Sequence, residues 1–287
     1  MPPSFGNAGL DPATTRLRQI ALVVKDLDRA REVLTKVLGT EVVFEDPGVA
    51  KWGLKNILIA IGGDIIEVVA PFEPGTTAGR LLEKRGGDGG YMIIMQTLDA
   101  AKRRQYILDK GLSKVIWGYD RDGITAAQYH PKGIPGGMMP ELDSHPTTPS
   151  NPSPLTDPFS PWHACGKDHT AYSALMKKYS DIHLSGVLLR LAPGQTDTEA
   201  ASRYWQDTFG VGMSRDLLAF TNARMGFVRG VEGRSEGLES ITIGVDGVGR
   251  LEGIWEKARR EGVAREGYVE MCGVKWFFHN AGGRSKL

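Results

Sequence analysis

The stretch "RLRQIALVVKDLDRAREVLTKVLG", residues 16–39, decides the fold. Its apolar core "QIALVV" reads as a strand. Asp26 or Asp28 then offers a carboxylate to the unpaired N–H groups of a helix start. Leu27, Ala30, Val33, Leu34, Val37 and Leu38 recur at helical spacing and give one apolar face. Gly39 can leave the helix in the left-handed conformation. Strands "TEVVFE", "NILIAIG" and "DIIEVVAP" follow.

The same order recurs downstream. A second unit runs from "YMIIMQT" through the helix "DAAKRRQYILDK", stopped at Gly111, to strands "KVIWGY", "ITAAQYH" and "GMMPELD". A third starts at "SGVLLRL", with helix "DTEAASRYWQDTF" ending at Gly210. A fourth joins "SITIGVD", helix "GRLEGIWEKARRE" up to Gly262, and "YVEMCGVKWFFHN". Each is βαβββ or a trimmed form. One such unit leaves a sheet face bare, so units must pair and curl. The expected class is α+β, with four βαβββ modules paired into two half-open barrels. The boundaries read as a flexible tail over 1–16, a first pair over 17–145, a linker over 146–182 and a second pair over 183–287. The linker assignment rests on Pro146, Pro149, Pro152, Pro154, Pro158 and Pro161, which exclude a central strand or helix interior there. "AYSALMKKY" within it reads as a short helix docking on one pair.

Of the 287 residues, 41% are hydrophobic and 24% charged, as in ordinary globular chains. A net charge of +1 provides no field for nucleic acid or an anionic membrane. The expected partner is therefore a small-molecule substrate, with no nucleic acid and no membrane. Cys165 and Cys272 lie far apart without metal spacing and read as free thiols of a reducing, cytoplasmic compartment. The N-terminus has no secretory pattern, and no apolar run approaches the roughly 18 residues of a membrane span.

"IALVVKDLDRAREVLTKVLG", "DIIEVVAP" and "QYHPKGIPGGMMPELD" resemble the opening strand and helix and the closing strands of the vicinal oxygen chelate superfamily. That group includes glyoxalase I, methylmalonyl-CoA epimerase, bleomycin-resistance proteins and extradiol dioxygenases. The resemblance implies a cup whose floor holds a divalent metal with four side chains, one near each first strand and one in each last strand. Such a metal binds two neighbouring substrate oxygens and stabilises an enolate. Carried onto this sequence, the positions are Gln19, Glu67, Glu141 and one of Gly90, Tyr91 and Met92. The histidines usual in both first strands are absent. The cofactor expectation is thus a divalent metal (Mn, Zn, Ni, Fe or Mg) on Gln19, Glu67 and Glu141, or none.

Glu67 and Glu141 stand among apolar strand residues, where an unpaired carboxylate is costly and becomes a stronger base. They are the expected acid and base. Gln19, Tyr91, Met92 and His130 are the expected substrate contacts, His130 having a turn role as its alternative. Asp143 reads as a turn or cap residue. Ser185 or Gly186, Ser240 and Phe277 occupy the ligand positions of the last two modules, so the iron triad of ring-cleaving dioxygenases is missing. Those modules read as support for the first pair or a cover over its cup. The expected function is a glyoxalase-like isomerase or lyase that abstracts a proton next to a carbonyl of an oxygenated metabolite. The alternative is a non-catalytic binder that sequesters a small molecule. The resemblance also admits a homodimer with modules swapped between chains.

Overall fold

The computed structural model describes residues 15–282. Strand β1 (Arg16–Val23) runs into helix α1 (Leu27–Leu38), where the Asp26 carboxylate accepts the Arg29 N–H and Gly39 turns left-handed at φ 59°. Strands β2 (Val42–Phe44), β3 (Leu54–Ile61) and β4 (Asp64–Pro71) complete the first module. Helix α2 (Thr77–Arg85), not expected from the sequence, precedes the second module. That module comprises β5 (Gly89–Gln96), α3 (Ala100–Asp109), β6 (Val115–Arg121), β7 (Ile124–Tyr129) and β8 (Met139–Ser144). The sheet order is β2-β3-β4-β1-β5-β8-β7-β6. The antiparallel β1–β5 pair at its centre relates the modules by an approximate two-fold.

After α4 (His169–Lys178), the third module contains β9 (Ile182–Arg190), α5 (Thr198–Phe209), β10 (Gly212–Ser214), β11 (Leu217–Ala219) and β12 (Arg224–Val228). The fourth is trimmed to β13 (Gly237–Val245), α6 (Val248–Arg260), β14 (Val269–Met271) and β15 (Val274–Asn280). They form a sheet of order β10-β11-β12-β9-β13-β15-β14. The fold is α+β, with the βαβββ pattern repeated.

The two sheets share one apolar core. Helix α1 packs on α6, α3 on α5 and β5 on β13, burying Leu34, Ile93, Phe209, Ile241 and Trp276 together. The second sheet therefore sits behind the first, on its helix side. It does not cover the first cup, which corrects one of the two roles expected for it.

Residues 1–14 of the expected tail lie outside the described residues. Thr15 and Arg16 are buried, and Arg16 opens β1 because its guanidinium is paired there with Asp64 at 2.7 Å. The proline-rich segment is more than a spacer. Prolines offer carbonyls but no N–H, and the first sheet supplies the donors. Arg18 Nη1 and Nη2 reach Pro158 O at 3.1 Å and Ser160 O at 2.8 Å, and Gln96 Nε2 reaches Pro154 O at 3.1 Å. Trp162, Cys165, Tyr172 and Met176 then pack on Ala21, Leu58, Met92 and Ile94, so the segment fills one end of the cup. Among the described residues, no helix is long and apolar enough to cross a membrane. Cys165 and Cys272 are free.

Candidate functional site

Two β-bulges shape the concave face. Register shifts between β1 and β5 leave Arg18 and Tyr91 without a partner, at positions equivalent under the two-fold. Tyr91 is thereby turned into the cup, and Arg18 toward the proline-rich segment. The register also settles which residue of the second module corresponds to Gln19. Ala21 pairs with Glu67, and Ile94 pairs with Glu141. Gln19 lies two residues before Ala21, so its counterpart is Met92, two before Ile94. The same reasoning in the second sheet puts Gly186, Gly226, Ser240 and Phe277 at the four floor positions. None of these four side chains can act as a carboxylate or imidazole ligand.

The cup of the first sheet holds a cavity of about 650 Å³. Gln19, Glu67, Tyr91, Met92 and Glu141 all line it. His130 does not. It is exposed, and its Nδ1 accepts the Lys132 N–H at 3.0 Å, so the substrate contact expected for it is replaced by a turn role.

Glu67 is buried, and each of its oxygens accepts from a neutral amide. Gln19 Nε2 donates to Oε2 at 2.9 Å, and Asn56 Nδ2 to Oε1 at 2.6 Å. Burial raises its pKa above the ordinary carboxylate value, and the two amides offset part of that rise. The folded chain thus holds this proton more tightly than the unfolded chain. The resulting stabilisation is complete at low pH and is lost as pH rises through the elevated value. Replacing Asn56 with leucine removes a donor that lowers the Glu67 pKa. The Glu67 carboxyl is then expected to titrate at a higher pH than in the wild type, read by carbon NMR of labelled glutamates. An unchanged or lowered value would contradict the arrangement.

Both amide donors are locked in orientation. The Trp162 indole N–H, which can only donate, meets Gln19 Oε1 at 2.9 Å. The Asp46 N–H meets Asn56 Oδ1 at 2.9 Å. Gln19 therefore turns its NH₂, not its carbonyl, toward Glu67. An ion shared between the two would meet the wrong end of the amide, and the Met92 thioether at the matching position is a poor ligand for a hard cation. The four-ligand metal set implied by the resemblance does not fit these residues.

A second polar group lies across the floor. Glu141 and Asp143 alternate on β8 and share a face. Both pKa values are raised, first by burial; on Glu141 the Glu67 charge adds to the rise while hydrogen bonds with Gln128 and Asp143 offset part of it, and on Asp143 the neighbouring Glu141 adds to it. The expected turn role of Asp143 is overturned, since it is 0% exposed. His163, from the proline-rich segment, brings Nε2 to 3.9 Å from Asp143 Oδ2. Its Nδ1 lies 3.1 Å from His145 Nε2. Burial pushes His163 down to about 4 and His145 to about 3, so both imidazoles are neutral at neutral pH. Trp162 packs against both rings, at centroid distances of 5.2 Å. On the wall, Trp52, Trp117, Tyr119 and His163 form a contiguous aromatic row. Burial, and then the Glu67 charge, push the Tyr91 phenol up to about 12, so it remains a donor.

Sequence reasoning missed Asn56, Asp143, His145, Trp162 and His163. The alternation Glu141-x-Asp143-x-His145 was the available signal for two of them. His163 and Trp162 stand in a segment whose composition reads as linker.

No protein-family model matches the chain, and no curated protein matches it. Solved structures similar to part of it include a Streptomyces coelicolor methylmalonyl-CoA epimerase variant in complex with 2-nitronate-propionyl-CoA. That structure is 23% identical, with a TM-score of 0.40, over 46% of this chain and 98% of its own. The methylmalonyl-CoA epimerase from Mycobacterium tuberculosis gives 23% and 0.41 over 47% and 92%. A hypothetical protein from Bacillus halodurans gives 18% and 0.40 over 47% and 97%. At these values the likeness concerns the fold of about half the chain and decides nothing at the site.

Proposed function

We propose that the chain is an isomerase or lyase that removes a proton from a carbon next to a carbonyl of a small oxygenated substrate, with Glu67 as the base. One observation carries this reading: a buried carboxyl, held only by neutral amides, faces a cavity of about 650 Å³. An ammonium or guanidinium partner would keep it ionised and weakly basic. Burial without one moves its basicity toward neutral pH, where general base catalysis works best.

In the proposed step Glu67 takes the C–H proton. The C–H electron pair forms the new C=C bond, and the carbonyl π pair moves onto oxygen. Tyr91 O–H and the proton held between Glu141 and Asp143 neutralise that oxygen in a partly dry cup. Returning the proton to carbon gives an isomer, and expelling a group from the next carbon gives a lyase product. Gln19 and Asn56 keep the carboxyl aimed at the cavity. The Trp52, Trp117 and Tyr119 wall suits an apolar, flat substrate body, and Lys51 and Arg80 on the cavity lining suit an anionic group.

The test is solvent exchange. The full chain is incubated in D₂O with 2-keto acids, 1,2-diketones, 2-hydroxyketones and acyl thioesters, and proton NMR follows each carbon acid. Deuterium uptake at one carbon of at least one class is expected. A ligand that binds the cavity without exchange, and equally well in Glu67→Gln, would make the chain a binding protein instead.

A further inference from the structure

We propose that Glu141, Asp143 and His163 form a site for a divalent first-row transition-metal ion, displaced toward β8 from the symmetric floor position. The floor position itself is unsuited, because Gln19 presents its NH₂ there and Met92 a thioether. The displaced group has a different chemistry. One carboxylate oxygen from each acid and one imidazole nitrogen lie within 4.8 Å of one another. Two ligand atoms bound at about 2.1 Å to one ion lie at most about 4.2 Å apart. The 3.9 Å between His163 Nε2 and Asp143 Oδ2 is within that span and too long for a direct hydrogen bond.

Asp143 supplies the independent observation. It is 0% exposed, and apart from the facing Glu141 carboxyl neither carboxylate oxygen has a hydrogen-bond partner. The facing carboxyl of Glu141 is itself an acceptor unless it carries a proton. A carboxylate this deep needs a positive charge or a proton beside it. The inference puts a cation where the shared proton of the metal-free site would be, and leaves the role of Glu67 untouched.

The neighbouring histidine prepares the ligand. When His163 Nδ1–H donates to His145 Nε2, the Nε2 lone pair of His163 is left bare and points toward the two acids. His145 is thus a positioning residue, fixing the tautomer as outer partners of metal-bound histidines do. Three protein ligands leave coordination positions open. Glu141 and His163 both line the cavity, so those positions are reached from the substrate side. Two oxygens and one nitrogen suit Mn, Fe(II), Co or Zn better than a soft ion.

The experiment titrates chelator-treated full chain with Co(II), following visible absorption for the ligand field and calorimetry for stoichiometry. One ion per chain is expected, with a shift in melting temperature on binding. His163→Ala and Asp143→Asn should each weaken binding by roughly a hundredfold or more, and His145→Asn by about 10–100-fold. Met92→Leu, which alters only the unsuited floor position, should leave the affinity within about threefold. Asp143→Asn preserves shape and is checked for folding by circular dichroism. Absence of binding by wild-type chain at saturating Co(II) would overturn the site, leaving a shared proton between the carboxyls. Binding that survives in both His163→Ala and Asp143→Asn, or fails in Met92→Leu, would also overturn it. Deuterium exchange reads the Glu67 proposal separately, so the two can fail independently.

Discussion

Glu67→Gln is expected to reduce deuterium exchange by about 10²–10⁴-fold, the usual contribution of a general base. It should also cost roughly 1–3 kcal/mol of stability, the penalty of a buried polar group left without its partner. The second effect follows from the locked amides. Glu67 accepts from Gln19 and from Asn56, one on each oxygen. A glutamine at 67 offers one oxygen and one NH₂, so it can satisfy only one of them. The other donor cannot flip to accept, because Trp162 fixes Gln19 and the Asp46 N–H fixes Asn56. Trp162→Phe removes the donor that pins Gln19. In Glu67→Gln/Trp162→Phe, Gln19 is free to turn and accept from the new amide. The double variant is therefore expected to be more stable than the two single losses added together, read by urea unfolding of all four proteins. Strict additivity would show that the network does not hold Glu67 as described. Exchange that persists in folded Glu67→Gln would remove Glu67 as the base.

What was legible in the sequence is what local rules determine. Asp26, the apolar stripe from Leu27 to Leu38, and Gly39 define a capped helix without help from the rest of the chain. Glu67 and Glu141 stand out because acids are rare in apolar strands, and both do face the cavity. Other features depend on relations that no short window contains. Met92 is recognised as the counterpart of Gln19 only once the bulge at Tyr91 sets the β1–β5 register. Gln19 reads as a carbonyl donor to a metal until Trp162, 143 residues away, shows which end of the amide points where. Helix α2 had its signals, with the Thr76 hydroxyl capping Gly79 N–H and Gly86 ending the helix, but only nine residues of periodicity between them. The proline-rich segment misleads most. Its prolines, from Pro146 to Pro161, exclude a central strand or helix interior, yet its carbonyls suit the buried Arg16, Arg18 and Gln96 donors, and it brings Trp162 and His163 to the site.

That anchoring makes Asp64→Ala the most damaging change expected outside the cavity, with a loss of roughly 3–5 kcal/mol, as for other broken buried ion pairs. Asp64 Oδ1 accepts from Arg16 Nε at 3.0 Å and Nη2 at 2.7 Å, and both side chains are almost fully buried. Asp64 Oδ2 accepts from Asn222 Nδ2 at 3.0 Å. Asn222, from the second sheet's half of the chain, also exchanges hydrogen bonds with both backbone groups of Leu17. One carboxylate thus ties the start of β1 to the third module. Alanine at 64 leaves the Arg16 guanidinium buried without a counter-charge and an Asn222 donor without its acceptor. A fall of roughly ten degrees in Tm is expected. The penalty belongs to the stranded charge more than to the lost pair, so Arg16→Met/Asp64→Leu should recover most of it. Arg16 also reaches Leu155 O at 3.5 Å, beside the carbonyls that Arg18 holds. Loosening that end of β1 should therefore reach His163 through the segment between them. Co(II) affinity in Asp64→Ala is expected to fall at a temperature where the chain is still folded, while the double variant regains stability faster than it regains affinity. Equal recovery of both would mean that the ion pair serves stability alone and that the segment is held at the cup by its apolar contacts.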